Sequence, residues 1–184
     1  MNNNGIILYR SKYGAAKKYA DWLKEATGFE CMETKKADIQ KVKEFDVIIF
    51  GGGIYASGIG GISFLKKNVQ ILKNKKIILF CVGASPFEEG AFQEICRHNL
   101  TEGLEKFPCF YCRGMWDEEA MSLKDRTLCK MLQKMIKKQD PSTYEPWQKA
   151  LVNAAGQKCD WTDPKYLEPL LAYMRRENLI AVDI

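Results

Sequence analysis

The chain has 184 residues, of which 46% are hydrophobic and 28% charged, with a formal net charge of +5. That length supports one domain with a full core and is too short for two comfortable ones, and the composition is that of an ordinary globular protein. No apolar run approaches the roughly 20 residues of a membrane span, and no signal peptide is expected at Met1-Asn2-Asn3-Asn4, which has no basic region followed by an apolar stretch.

Short apolar runs alternate with helical patterns over the first two-thirds of the chain, the mark of a parallel sheet covered by helices. Gly5 to Tyr9 reads as the first strand and Ala15 to Ala26 as the first helix. That helix has Ala16, Tyr19, Ala20 and Leu23 on one side, lysines and acids on the other, and Gly28 as its stop. Phe29 to Glu33 is a weaker second strand. Asp46 to Phe50 is a third, closed by Gly51-Gly52-Gly53, and a helix is expected over Ile62 to Leu72. Lys76 to Val82 is the fourth strand, Glu89 to Leu100 a helix, and Pro108 to Cys112 the fifth strand. The first, third and fourth strands are almost uninterrupted apolar runs, as strands buried on both faces should be.

From 114 to about 160 the rhythm breaks into an insertion. One basic, amphipathic helix stands out, from about Leu123 to Lys138. Leu128, Met131, Leu132, Met135 and Ile136 fall on one side, with Lys124, Arg126, Lys130, Lys134, Lys137 and Lys138 on the other. Such a helix suits packing on the domain with a solvated lysine face, an anionic membrane surface, or a lid. Thr162-Asp163-Pro164 then starts a last helix, with Asp163 as cap. Pro169 inside that pattern implies a kink or a later start.

Three loops rich in small residues follow buried strands. Arg10, Ser11, Lys12, Tyr13, Gly14, Ala15 and Ala16 precede the first helix, where unpaired N–H groups and the helix dipole favour a phosphate. The same residues also suit an ordinary strand-to-helix turn. In Gly51 to Gly61, seven of eleven residues are glycine or alanine, which suits a flat ligand against backbone or a mobile loop. Tyr55 is placed to stack on such a ligand. Val82-Gly83-Ala84-Ser85 follows the fourth strand. In open α/β sheets ligands bind outside the carboxyl ends of the strands, so the three loops converge on one expected site.

The segments YRSKYGAAKKYA and GGGIYASGIGGISFLKK resemble the flavodoxin superfamily. The resemblance implies a three-layer α/β sandwich with a five-stranded parallel sheet in the order 2-1-3-4-5, and one FMN. By position, Arg10 to Ala16 would hold the ribityl phosphate. Gly53, Ile54, Tyr55, Ala56, Ser57 and Gly58, with Val82, Gly83, Ala84 and Ser85, would flank the isoalloxazine ring. Backbone at Ser57-Gly58 is the candidate hydrogen-bonding partner of the flavin ring. The layout is also similar to the branch containing menaquinone-dependent protoporphyrinogen dehydrogenase, through the insertion Met115 to Lys138 and the Trp161-Thr162-Asp163 entry to the last helix. The family's phosphate loop usually ends in Thr where this chain has Ala16, and Arg10 or Lys12 is expected to compensate electrostatically. Small electron-carrier flavodoxins are typically acidic, whereas this chain is basic.

Three functions follow from this reading: an FMN-binding oxidoreductase or electron-transfer protein, a quinone-coupled dehydrogenase, or a flavin-free binding module on the same fold. The expected partners are a redox protein, a quinone or a small-molecule substrate, with peripheral membrane contact through the basic helix and no nucleic acid. The expected compartment is the cytoplasm, at most at the inner face of the membrane. No catalytic side chain stands out. Cys109 and Cys112 have redox spacing, but positions three apart in a strand face opposite sides, so they read as core. A single histidine, His98, leaves no basis for a metal site or a His-based triad.

Overall fold

The computed structural model describes residues 4–181. Five strands form the parallel sheet: β1 (Gly5–Arg10), β2 (Glu30–Glu33), β3 (Val47–Tyr55), β5 (Lys76–Gly83) and β6 (Cys109–Arg113). Their order, β2-β1-β3-β5-β6, is the expected 2-1-3-4-5, because β4 (Gly58–Ile59) only folds back antiparallel onto β3. The strand order therefore reverses between β1 and β3, which places the ligand crevice beyond their carboxyl ends.

Alternation along the strands builds two cores. Ile7, Ile49, Ile78 and Phe80 face α1 (Ala15–Thr27) and the C-terminal α7 (Glu168–Arg176). Ile6, Leu8, Ile48, Phe50 and Leu79 face α3 (Ser63–Asn68) and α4 (Glu89–Asn99). Cys109 belongs to the second core and Cys112 to the first, as two strand positions three apart must. Burial pushes the Cys112 thiol well above its ordinary pKa, which keeps it protonated and unreactive.

Several boundaries differ from expectation. Gly51 to Gly53 do not close β3. The strand runs through them to Tyr55, because neighbouring side chains fill their missing side-chain positions: a Cβ on Gly51 would lie 1.9 Å from Phe80 Cζ, and one on Gly53 2.5 Å from the Tyr55 hydroxyl. The helix expected over 62–72 is only α3, continued by turns, and a short α2 (Ile39–Val42) precedes β3. The last helix begins late, as Pro169 requires. Pro164–Leu167 form a 3₁₀ turn capped by the Asp163 carboxylate, and α7 then starts with Pro169 in its first turn, where proline has no hydrogen bond to forfeit.

The insertion is a small unit of its own. Strands β7 (Met115–Asp117) and β8 (Lys158–Asp160) pair antiparallel apart from the main sheet. Between them lie α5 (Leu123–Ile136) and α6 (Pro146–Asn153). Of the arrangements open to the α5 stripe, packing on the domain is not the one found, because the stripe faces solvent: Met131 and Met135 are 57% and 61% exposed, and only Ile136 of the five is buried. Polar anchors set this orientation. Gln133 donates to Glu118 (3.0 Å) and to the Leu151 carbonyl (3.2 Å), and Arg126 Nε donates to the Glu118 carbonyl (2.6 Å).

Candidate functional site

The three small-residue loops meet at one rim of the sheet. The Lys12 amide donates to the Tyr55 hydroxyl (2.9 Å), and the Tyr13 and Tyr55 rings meet edge to face at 5.9 Å. These contacts join the first loop to the hairpin. A Cβ on Gly83 would come 3.2 Å from Ile54, and one on Gly114 3.4 Å from Ala15, so the loop after β5 and the start of the insertion close the circle.

In the first loop, Ser11 Oγ accepts from the Gly14 amide (3.1 Å), which turns the chain into α1. Gly14 has a φ of +99°, and the space where its side chain would stand is open. Helix α1 has no side-chain N-cap and no acid in its first turn. Its leading amides and the positive end of its dipole therefore face that open space, a combination suited to an anion.

The flanking charges are arranged differently from expectation. Arg10 pairs with Glu33 (2.6 Å), and the Lys12 ammonium with the Asp125 carboxylate at the start of α5. Neither cation is idle and waiting to offset Ala16. Ala16 itself is 1% exposed in the core under α1, so a side chain there points away from the rim and only its amide faces it. Val82 is likewise buried. Tyr13 also donates to Asp125, and the Ser122 amide donates to the Tyr13 hydroxyl (3.3 Å). The hydrogen bonds from Lys12 and then Tyr13 hold the Asp125 carboxyl below the usual carboxylate range. Burial raises the Tyr55 hydroxyl, which stays protonated near neutral pH.

The hairpin tip is Tyr55-Ala56-Ser57-Gly58, with Ala56 and Ser57 both left-handed (φ 46° and 67°). This is the two-residue turn that matches strand twist, built here without glycine at its centre. Asn99, at the end of α4, holds it. The side-chain amide donates to the Ser57 carbonyl (2.7 Å) and to Ile95 (2.9 Å), and its oxygen accepts from the Ile59 amide (2.7 Å). On the other side, Tyr111 donates to the Ser85 carbonyl (2.6 Å) and Arg113 Nε to the Ala84 carbonyl (3.3 Å). The Arg113 guanidinium lies 4.3 Å from the centre of the Trp161 ring.

Asn99, Asp125, Tyr111 and Arg113 all shape this rim and were not among the expected site residues. The bonds by which they reach the rim span 26 to 113 residues of sequence, so no local pattern marks them. His98 is exposed on α4, and no group of metal-ligating side chains occurs among the described residues.

The sequence pattern of the flavodoxin domain family matches residues 6–143, and the chain belongs to that family. No curated protein matches the chain. Among solved structures it is similar to a flavodoxin, WrbA-like protein from Agrobacterium tumefaciens (17% identity, 68% of this chain and 88% of that one, TM-score 0.49). It is also similar to two-electron reduced Megasphaera elsdenii flavodoxin (18%, 58% and 82%, 0.42) and to a Lactobacillus acidophilus flavoprotein in complex with FMN (16%, 61% and 93%, 0.39).

FMN is the cofactor of this family, and the rim fits it. The open space at Gly14 before an uncapped helix suits the phosphate. The exposed hairpin tip and the half-buried Gly83 to Ser85 leave two edges for a flat ring. The glycines within β3 serve sheet packing, and the exposed backbone of the hairpin lies at Ala56 and Ser57 rather than at Gly51 to Gly53.

Proposed function

We propose that the protein is an FMN-dependent oxidoreductase or electron-transfer protein. The observation that carries this reading is the uncapped start of α1 facing open space at Gly14, within contact of the Tyr55 hairpin. Ser11, Gly14 and the amides of Ala15 and Ala16 would hold the phosphate. Tyr55 to Gly58 and Gly83 to Ser85 would border the ring. Bound FMN supplies the electron-carrying chemistry, while the protein supplies placement and electrostatics. Among these residues Asn99 fixes the Ser57 carbonyl, Tyr55 presents a protonated hydroxyl, and Tyr111 and Arg113 hold the loop after β5 in place. The visible spectrum of the purified protein tests the reading. Flavin absorption, or quenching of added FMN fluorescence, is expected. A colourless protein that leaves FMN fluorescence unchanged would make it a flavin-free module.

A second reading adds a quinone-linked dehydrogenase role at an anionic membrane, and α5 favours it. Leu123, Leu128, Met131 and Met135 are exposed, and Lys130 and Lys134 stand exposed on the same helix, with Lys138 exposed just beyond its end. An apolar strip beside cations suits a negatively charged lipid surface. No helix among the described residues is long and apolar enough to cross a membrane, so this contact would be peripheral. Co-sedimentation with phosphatidylglycerol vesicles, but not with phosphatidylcholine vesicles, is the expected result. Equal recovery with both would remove the membrane from this reading.

A further inference from the structure

A second concavity opens beside the candidate flavin rim, between the loop after β5, the end of β6 and helix α6. Its volume is about 470 Å³, within the roughly 300–1,000 Å³ common for small-molecule sites. Pro86, Pro146, Ala150 and the Trp161 ring give it apolar walls, and Arg113 and Lys149 supply two positive charges. No aspartate or glutamate lines it, and neither cation pairs with a carboxylate among the described residues.

These two cations differ from the others near the rim, since Arg10 and Lys12 each have a carboxylate partner. Arg113 is also oriented. Its guanidinium lies over Trp161, and Nε donates to the Ala84 carbonyl in the loop expected to border the flavin ring. A guanidinium held in this way has its remaining N–H groups to offer, and a planar fork of donors matches a carboxylate or sulfonate. The flat apolar walls suit a ring.

We infer that the cleft between α6, Trp161 and the loop after β5 binds a flat organic anion, with Arg113 and Lys149 as its charge partners. This deepens the proposed function by naming a ligand class, and it rests on that reading only for the position of the cleft beside the flavin.

The test is calorimetric titration of the full chain with 2-naphthoate and with 2-naphthamide, its neutral counterpart of nearly the same shape. Naphthoate is expected to bind at least fivefold more tightly. Arg113→Gln should weaken naphthoate about tenfold, as loss of a hydrogen bond to a charged group does. Lys149→Gln, at an exposed helix position that should not disturb folding, should weaken it about two- to threefold, because solvent screens that charge. Naphthamide binding should change in neither variant. Equal affinity for the two compounds overturns the inference, as does naphthoate binding unaffected by Lys149→Gln and Arg113→Gln. Titration with and without added FMN separates the two readings. A protein that ignores FMN yet discriminates the two compounds keeps the cleft and loses the flavin. A flavin-loaded protein without discrimination does the reverse.

Discussion

Ala56 and Ser57 hold left-handed backbone without being glycine, a conformation that costs an L-residue roughly 1–2 kcal/mol. Such strain persists only where the surroundings over-determine it, and here Asn99 does so by bonding the Ser57 carbonyl within the tip and the Ile59 amide just after it. Asn99→Ala would leave the Ile59 amide, on a buried residue, without its partner, at a cost of about 1–3 kcal/mol. Urea denaturation should show that loss. Amide exchange at Ser57 to Ile59 should accelerate more than exchange in β1, whereas uniform acceleration would mean that Asn99 supports the fold and not the tip. Ser11 acts at the other end of the site. Its oxygen accepts from the Gly14 amide, so its proton is available to an incoming phosphate. Ser11→Ala should weaken FMN by about 1.5–3 kcal/mol in a fluorescence titration. An unchanged dissociation constant would take Ser11 out of the site.

At the scale of elements, α5 is tethered to the phosphate-side loop through one carboxylate, Asp125, shared by Lys12 and Tyr13. Because its pKa is lowered on folding, the stabilisation is complete above the ordinary aspartate range near pH ~4 and is lost as pH falls through the lowered value. The Lys12 side chain is 43% exposed, so the contribution is modest, about 0.5 kcal/mol. Asp125→Asn should reproduce the acid state at pH 7. Hydrogen exchange in 122–136 should quicken with little change in the midpoint of global unfolding, and unaltered exchange there would show that Gln133 and Arg126 alone hold the helix. Elements were legible in the sequence wherever burial imposes an unbroken pattern: the apolar runs at Ile6 to Leu8, Val47 to Phe50 and Ile77 to Val82 are strands because both faces are covered. Two features were hidden. Gly51 to Gly53 read as a stop because glycine is a poor strand former, yet Phe80 and Tyr55 fill the missing volume from outside the segment. The α5 stripe left its packing open because periodicity reports that a helix has two faces without saying which one a distant Glu118 will anchor. The candidate site was legible as three loops after strands. Its fastenings, from Asn99, Asp125 and Arg113, depend on tertiary contacts with no local signature.

Across the whole molecule, the parallel sheet and the insertion are held together by different means. The sheet strands are covered on both sides by extensive apolar cores, whereas the β7–β8 ribbon reaches the rest chiefly through polar contacts. Lys18 bonds Asp160 (3.0 Å) and Thr162 (2.8 Å), the Gly114 amide bonds the Gly83 carbonyl (2.7 Å), and Asp125 bonds the first loop. Regions with few buried apolar contacts open at lower free energy than the core, so residues 115–160 should exchange their amides through sub-global opening while β1, β3 and β5 require global unfolding. FMN adds a second expectation, because the site proposed for it uses the carboxyl ends of the same core strands. A ligand that binds only the native state stabilises it by about 2.7 kcal/mol at a hundredfold excess over Kd. For a chain of this length, each kcal/mol moves the midpoint by about 2–4 °C, so saturating FMN should raise Tm by about 5–11 °C. The rise should be accompanied by slower exchange in β1, β3 and β5, which protect only by global unfolding, and by a smaller change in 115–160. A thermal shift confined to the insertion would place the flavin away from the carboxyl ends of the strands and would overturn the site assigned at Gly14 and the Tyr55 hairpin.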